Sequence, residues 1–201
     1  MILLSALLSS HTFIALSQTK EKKIILWQYA RENSRESYIQ NEFEYYMSHT
    51  KIADSLYYTK IRDQHQGPTN IDIKVDLLHK KISYIADNME SAIEENRLHP
   101  IARDTFKTKY VDNKFFRLSD YDKKYFVYRF FLYRDNNDFD ELIYWSKDFG
   151  VILQVSLYND YLFKVEYIDD DENNKIINHI CFLIFGDKFF NHLDDWEKLK
   201  K

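Results

Sequence analysis

The sequence predicts an α+β fold, in which N-terminal helices pack on a C-terminal antiparallel β-meander of about five strands that can curl into a half-barrel. In the first half, apolar residues recur at three- and four-residue intervals, the period of an amphipathic helix. In the second half, aromatic and β-branched runs alternate with turns rich in Asp and Asn. No Pro-, Gly- or Ser-rich linker separates the halves. We therefore expect one domain over residues 18–201, helix-rich over 18–110 and strand-rich over 111–201.

The first 17 residues resemble a secretory signal peptide. An apolar core runs from Met1 to Leu16, and Ala15 and Ser17 place small side chains just before Gln18. We therefore expect cleavage after Ser17, export to the periplasm or medium, and no stable membrane span afterwards. The segment lacks a basic region in front of its core, so two alternatives stay open. These are a structural first helix in a cytoplasmic protein and a retained anchor.

The helical elements are predicted from apolar spacing. A first helix, or two joined helices, is expected within residues 31–63, and a second from Ile82 to Ile93, before Pro100 restricts the chain. Residues 71–77 alternate apolar with charged side chains and form either a half-buried strand or the lead into that helix. The apolar positions that define the first helical stretch are Ile39, Phe43, Tyr46, Met47, Ala53, Tyr57 and Ile61.

The meander is predicted from residues 123–134, 141–146, 151–158, 161–168 and 175–185. Asp and Asn tolerate left-handed backbone conformations, so they can form the turns where Gly is scarce. Gly150, at the start of the third segment, is expected to adopt a conformation closed to other residues. The first segment is apolar on both faces, so the sheet needs cover on both sides. The helices can cover one face, and either the sheet's own side chains or an apolar ligand or partner would cover the other.

Composition excludes several classes of function. Lys and Arg number 28 against 32 Asp and Glu, a net charge of −4, which predicts no attraction to nucleic acid. Only three Gly are present, so phosphate-cradling loops of nucleotide-binding proteins are not expected, and we predict no cofactor. The single Cys181 excludes an intramolecular disulfide.

No catalytic or metal-binding pattern stands out in the sequence. The seven His are not spaced as ligands of a metal, so no metal site is expected. The acidic run over residues 169–174 lacks the alternation of a calcium loop and is interpreted as a solvated hairpin turn. His179 and Cys181 would share one face of a strand, where a buried pair is favoured over a nucleophile and its base. An enzyme is therefore not indicated.

These observations predict an exported, non-catalytic binding or interaction protein, whose curled sheet holds an apolar small molecule or a protein partner. Two alternatives remain, an intracellular immunity-type inhibitor of a toxin enzyme and a hydrolase without a recognisable motif. Aromatic side chains near the meander turns form the predicted contact surface, with a role in the core as the alternative. They are Tyr144, Trp145, Phe149, Tyr158 and Tyr161.

Overall fold

The computed structural model describes residues 21–30, 39–63, 70–88, 102–133, 140–157 and 161–191. These residues form one antiparallel sheet of eleven strands and a C-terminal helical segment. A short 3₁₀ turn, Ser119–Tyr121, lies between the seventh and eighth strands. The strands are β1 (Lys22–Ala30), β2 (Ile39–Ala53), β3 (Leu56–Asp63), β4 (Asn70–Asp76), β5 (Lys81–Asn88), β6 (Ala102–Thr105), β7 (Lys107–Leu118), β8 (Lys123–Tyr133), β9 (Asp140–Ser146), β10 (Gly150–Ser156) and β11 (Tyr161–Tyr167); the helices are α1 (Asp171–Gly186) and α2 (Lys188–Asn191).

The sheet closes almost completely into a barrel. Its strand order is β6-β5-β4-β3-β2-β1-β11-β10-β9-β8-β7, so β6 and β7 lie at opposite ends of the order. Yet β6 and β7 are consecutive in the chain, separated only by Phe106. The chain therefore pairs with β5 before Phe106 and with β8 after it. Two contacts to β5 support the switch: the Phe106 N–H donates to the Tyr84 carbonyl at 3.3 Å, and the Thr108 hydroxyl donates to the Ile82 carbonyl at 2.5 Å.

The inside of this nearly closed barrel is filled by its own side chains. Alternate residues of β3, β4 and β5 point inward and meet residues from β8, β9 and β10 on the far side. The sequence left two possibilities for the second face of the sheet, its own side chains or an apolar ligand or partner. In the described interior, the sheet's own side chains fill the space. The buried residues of this inner cluster are Tyr57, Ile73, Val75, Ile82, Tyr84, Phe106, Phe130, Leu132, Ile143, Trp145 and Val151.

The outer face of the sheet differs between its two halves. On β1 to β4 it carries charged and polar pairs, such as Lys23 with Glu44 at 2.8 Å and Tyr58 with Asp72 at 2.6 Å. On β7 to β10 it is apolar and helix α1 covers it, which explains why these strands are apolar on both faces. The helix buries Ile176, Ile177, Ile180, Cys181 and Ile184 against this half of the sheet.

The prediction of an α+β fold with N-terminal helices on a five-strand meander is wrong. The stretch expected to be helical over 31–63 contributes β2 and β3, which pair so that Met47 lies opposite Ile61. A period of two was also present there, because Tyr57, Thr59 and Ile61 are buried while the residues between them are not. Pairing with neighbouring strands overrode the helical spacing. The predicted second helix contains β5 instead, while Met89 and Ile93 lie outside the described residues.

The last predicted strand is also wrong, since residues 175–185 lie within helix α1. The acidic run before it is the start of this helix and not a hairpin turn. The Asp170 carboxylate accepts the Asn173 N–H at 3.3 Å and caps the helix, and Lys22 pairs with the same carboxylate at 2.7 Å. The buried residues of the helix recur every three or four positions, which is the period of an amphipathic helix. This period is visible in the sequence and disagrees with the predicted strand.

Four of the meander segments do form neighbouring antiparallel strands, β8 to β11. The backbone expected at Gly150 is confirmed, with φ of 76°. Asp122 and Asp169 also adopt positive φ, at 42° and 61°, so aspartate takes the turn positions that Gly often occupies.

Candidate functional site

The structure buries three of the five residues of the predicted contact surface. Tyr144 and Trp145 are fully buried on opposite faces of β9, and Phe149 is buried in the turn that follows. Tyr158 lies outside the described residues, and for Tyr161 only its backbone position in β11 is described. Where side chains are described, these aromatics thus occupy the core, the alternative placement that the sequence allowed.

Trp145 lies at the centre of a cluster that joins β2, β3 and the β9–β10 turn. Its ring packs edge-on against His49 at 5.6 Å and Tyr57 at 5.1 Å between ring centroids. The His49 Nε2–H donates to the Lys147 carbonyl at 3.0 Å, because a carbonyl can only accept. In the neutral imidazole, which burial favours, the Nδ1 atom then accepts the Thr59 hydroxyl proton at 2.8 Å.

Gly150 allows this cluster to close. A Cβ atom there would lie 3.1 Å from the Thr59 hydroxyl oxygen and 3.2 Å from the His49 Nδ1 atom. Both the positive φ and the lack of space favour glycine at this position. The cluster of His49, Thr59, Trp145 and Gly150 is therefore a packed structural joint.

His49 should make stability depend on pH. Burial lowers the pKa of His49 below its usual 6.5, since the charged ring loses its hydration, while the Lys147 carbonyl and Asp148 oppose this shift. Above about pH 6.5 the contribution of neutral His49 is fully present. Below it the unfolded chain binds a proton that folded His49 does not, so stability falls until the lowered pKa is passed, at up to about 1.4 kcal/mol per pH unit.

Urea unfolding at several pH values between 5 and 8 measures this effect. The His49→Gln variant is the control, because its amide can donate to Lys147 without titrating. The wild type should lose more stability than the variant as the pH falls below 6.5. Parallel curves for the two proteins would contradict the assignment of a neutral, buried His49.

The candidate nucleophile is inaccessible. Cys181 is buried on the sheet-facing side of helix α1, and burial raises the pKa of its thiol to about 12, so the thiolate is scarce at neutral pH. His179 lies on the same helix and not on a strand. Among the described residues, no three His, Cys, Asp or Glu side chains are grouped as metal ligands.

An exposed aromatic surface lies instead on the hairpin formed by β7 and β8. Phe115 and Phe126 are directly opposite each other across the two strands, with ring centroids 6.1 Å apart. They are 52% and 40% exposed. Lys124 lies over the Phe115 ring at 5.1 Å and Lys147 over the Phe126 ring at 5.6 Å. We call these four residues the hairpin face.

The opposite side of this hairpin is buried and holds it in place. Phe116 packs on Phe190 of α2 at 5.7 Å between ring centroids, and Tyr125 stacks on Phe149 at 5.8 Å. Neighbouring residues along each strand point to opposite faces, so this burial fixes the orientation of Phe115 and Phe126. The hairpin face is therefore a preorganised surface, which loses little conformational entropy when a partner binds.

The hairpin is basic in an acidic protein. Residues 107–133 contain seven Lys and Arg and three Asp, a net charge of +4, whereas the whole chain has −4. Arg117 pairs with Asp122 at 3.3 Å, and Lys123 pairs with Asp148 at 2.9 Å. Within the part of the chain that the structure describes, Lys124 and Lys147 contact aromatic rings and form no ion pair.

This surface was not predicted from the sequence, although the sequence contains a signal for it. Lys and Arg flank the aromatics in both strands, in Lys114–Arg117 and in Lys123–Phe126, around a turn that contains Asp120 and Asp122. The apolar residues on both faces of its strand predict instead that Phe126 is covered. The sequence alone does not show that β7 and β8 extend beyond β9, whose pairing with β8 ends at Val127.

A second group of exposed phenylalanines lies on the helical segment. Phe182 and Phe189 are 73% and 92% exposed, and Phe185, 41% exposed, lies between them in the chain. This group shares no residue with the hairpin face, so it serves as a control surface.

The chain matches no protein-family model, and neither the curated proteins nor the solved structures compared with it include a significant match. Among the described residues, no helix combines the length and the hydropathy that a membrane crossing requires.

Proposed function

We propose that this protein is a non-catalytic interaction protein that binds an acidic protein partner at the hairpin face. The observation that carries the proposal is the pair of exposed phenylalanines beneath Lys124 and Lys147. Aromatic side chains, phenylalanine among them, are enriched at protein–protein interfaces relative to the rest of a protein surface. The two lysines supply charge for carboxylates, and the rings supply apolar contact area.

A protein partner is favoured over a small apolar molecule inside the sheet. The described interior is filled by side chains such as Trp145, Phe130 and Ile143, each at most 1% exposed. A protein partner is also favoured over nucleic acid, since a groove that follows phosphates needs a longer run of cations on a basic domain. The hairpin face offers two lysines in a chain of net charge −4.

Photo-crosslinking in the native cell tests this proposal. A photoreactive phenylalanine analogue replaces Phe115, and the matched control carries it in place of Phe182 on the helical segment. We expect Phe115 to crosslink to an acidic segment of one protein, and we expect Lys124→Glu with Lys147→Glu to abolish the crosslink. Crosslinks to nucleic acid, equal crosslinks from position 182, or none from position 115 would refute the proposal.

Export remains part of the proposal and has its own test. Intact-mass and N-terminal analysis of the protein from fractionated native cells would support export if the chain begins at Gln18 in the envelope or medium. A chain that retains Met1 in the cytosol would overturn export and favour the inhibitor alternative.

A further inference from the structure

Strand β7 has one edge that pairs with no described strand over its second half. Among the described residues β7 pairs only with β8, and it lies at the end of the strand order. The hydrogen bonds that join this part of the chain to β5 come from Phe106 and Thr108, just before and at the start of β7. After the irregularity between Tyr110 and Asp112, the strand continues to Leu118 beyond these contacts.

This edge is extended, and it carries exposed side chains. Phe116 and Leu118 are buried on one face, while Asn113, Lys114 and Arg117 are exposed together with Phe115. A strand edge presents backbone N–H and C=O groups that need a partner or water. Here they lie directly beside the Phe115 ring of the hairpin face.

We propose that the acidic partner binds as an added β-strand along residues 112–118 of β7, an inference that rests on the proposed function. An added antiparallel strand places its side chains about 5 Å from those of β7. Aliphatic side chains on one face would then pack against Phe115. Acidic side chains would lie near Arg117 on that face and near Lys114 on the other, where they would replace Asp122 and Asp187 as partners of these cations.

Charge favours an acidic segment over a second copy of this chain. Two β7 edges brought together would place Lys114 and Arg117 of one copy against the same residues of the other. Like charges across neighbouring strands are unfavourable, and lysines and bulges at edges are known to block self-pairing. The same charges attract a strand that carries carboxylates.

The test uses the full chain and a fluorescein-labelled nine-residue peptide of alternating Glu and Val, with an alternating Lys and Val peptide as control. Fluorescence anisotropy measures affinity, and amide hydrogen exchange by NMR measures protection in β7. We expect the Glu peptide to bind at least tenfold tighter than the Lys peptide. We also expect it to protect alternate amides between Asn113 and Leu118, because every second N–H faces the open edge.

The outcomes separate this inference from the proposed function. Binding that is lost in Lys124→Glu with Lys147→Glu, without protection in β7, would overturn strand addition and leave the hairpin face as the contact. Binding that is unchanged in that variant would overturn both the strand addition and the proposed role of the hairpin face. The Phe182→Ala variant should bind as the wild type does. No binding of the Glu peptide at 1 mM would overturn the inference, since the edge would then not accept an acidic strand.

Discussion

Replacing Trp145 with alanine is expected to lower the free energy of unfolding by about 3–5 kcal/mol, as measured by urea unfolding at pH 7.5. The side chain is fully buried and packs against His49, Tyr57 and Tyr128. Its loss would leave a cavity between the two halves of the barrel, because neighbouring strands cannot collapse far without breaking their pairing. Surface residues rarely have effects of this size.

Phenylalanine at position 145 is the matched control. The Trp145 indole N–H is buried and has no hydrogen-bond acceptor among the described residues, so its removal costs no hydrogen bond. Trp145→Phe should therefore cost much less than Trp145→Ala. If Trp145→Ala changes stability by under about 1 kcal/mol and instead impairs partner binding, Trp145 belongs to a contact surface and the described packing is wrong.

Replacing Arg129 with methionine is expected to lower the free energy of unfolding by about 2–4 kcal/mol. Arg129 is buried, and its guanidinium donates two hydrogen bonds to the Asp112 carboxylate at 2.9 and 2.7 Å. A third hydrogen bond reaches the Phe190 carbonyl at 2.9 Å, and Tyr144 donates to the same oxygen at 2.9 Å. These bonds fasten α2 to the sheet behind the hairpin.

Methionine retains most of the apolar stem of Arg129 but has no N–H groups to donate. The decrease in the free energy of unfolding therefore measures mainly the lost hydrogen bonds. Urea unfolding gives the total, and hydrogen exchange at Phe190 shows whether α2 detaches first. Arg117→Met is the control; it should lower the free energy of unfolding by under about 1 kcal/mol, because Arg117 and its partner Asp122 are 67% and 91% exposed. Equal losses in the two variants would contradict a buried, three-bonded Arg129.

The strands from β8 to β11 could be predicted because aromatic and β-branched runs are bounded by Asp and Asn turns. The first half could not, because β2 and β3 happen to carry apolar residues at helical intervals, and only their pairing partners decide between the two periods. Helix α1 shows the converse: its Ile-rich stretch resembles a strand, and the capping Asp170 was interpreted as part of a turn. Barrel closure depends on Phe106, where the chain stops pairing with β5 and begins pairing with β8. No residue pattern around Phe106 predicts this change.

The candidate site failed to emerge from the sequence for a related reason. Tyr144 and Phe126 are both aromatic residues in strands, yet Tyr144 is buried under the helical segment while Phe126 lies beyond the last paired residue of β9. Exposure here depends on where each strand ends relative to its neighbour. Local composition does not contain that information.

The central claim is that Phe115, Phe126, Lys124 and Lys147 bind an acidic protein partner. Its most direct test is the dissociation constant of the crosslinked partner for three proteins, the wild type, Lys124→Glu with Lys147→Glu, and Phe182→Ala. We predict that reversing the two charges weakens binding at least tenfold, about 1.4 kcal/mol, and that Phe182→Ala leaves it within twofold. Unchanged affinity after charge reversal, or an equal loss in Phe182→Ala, would contradict the assignment of the hairpin face.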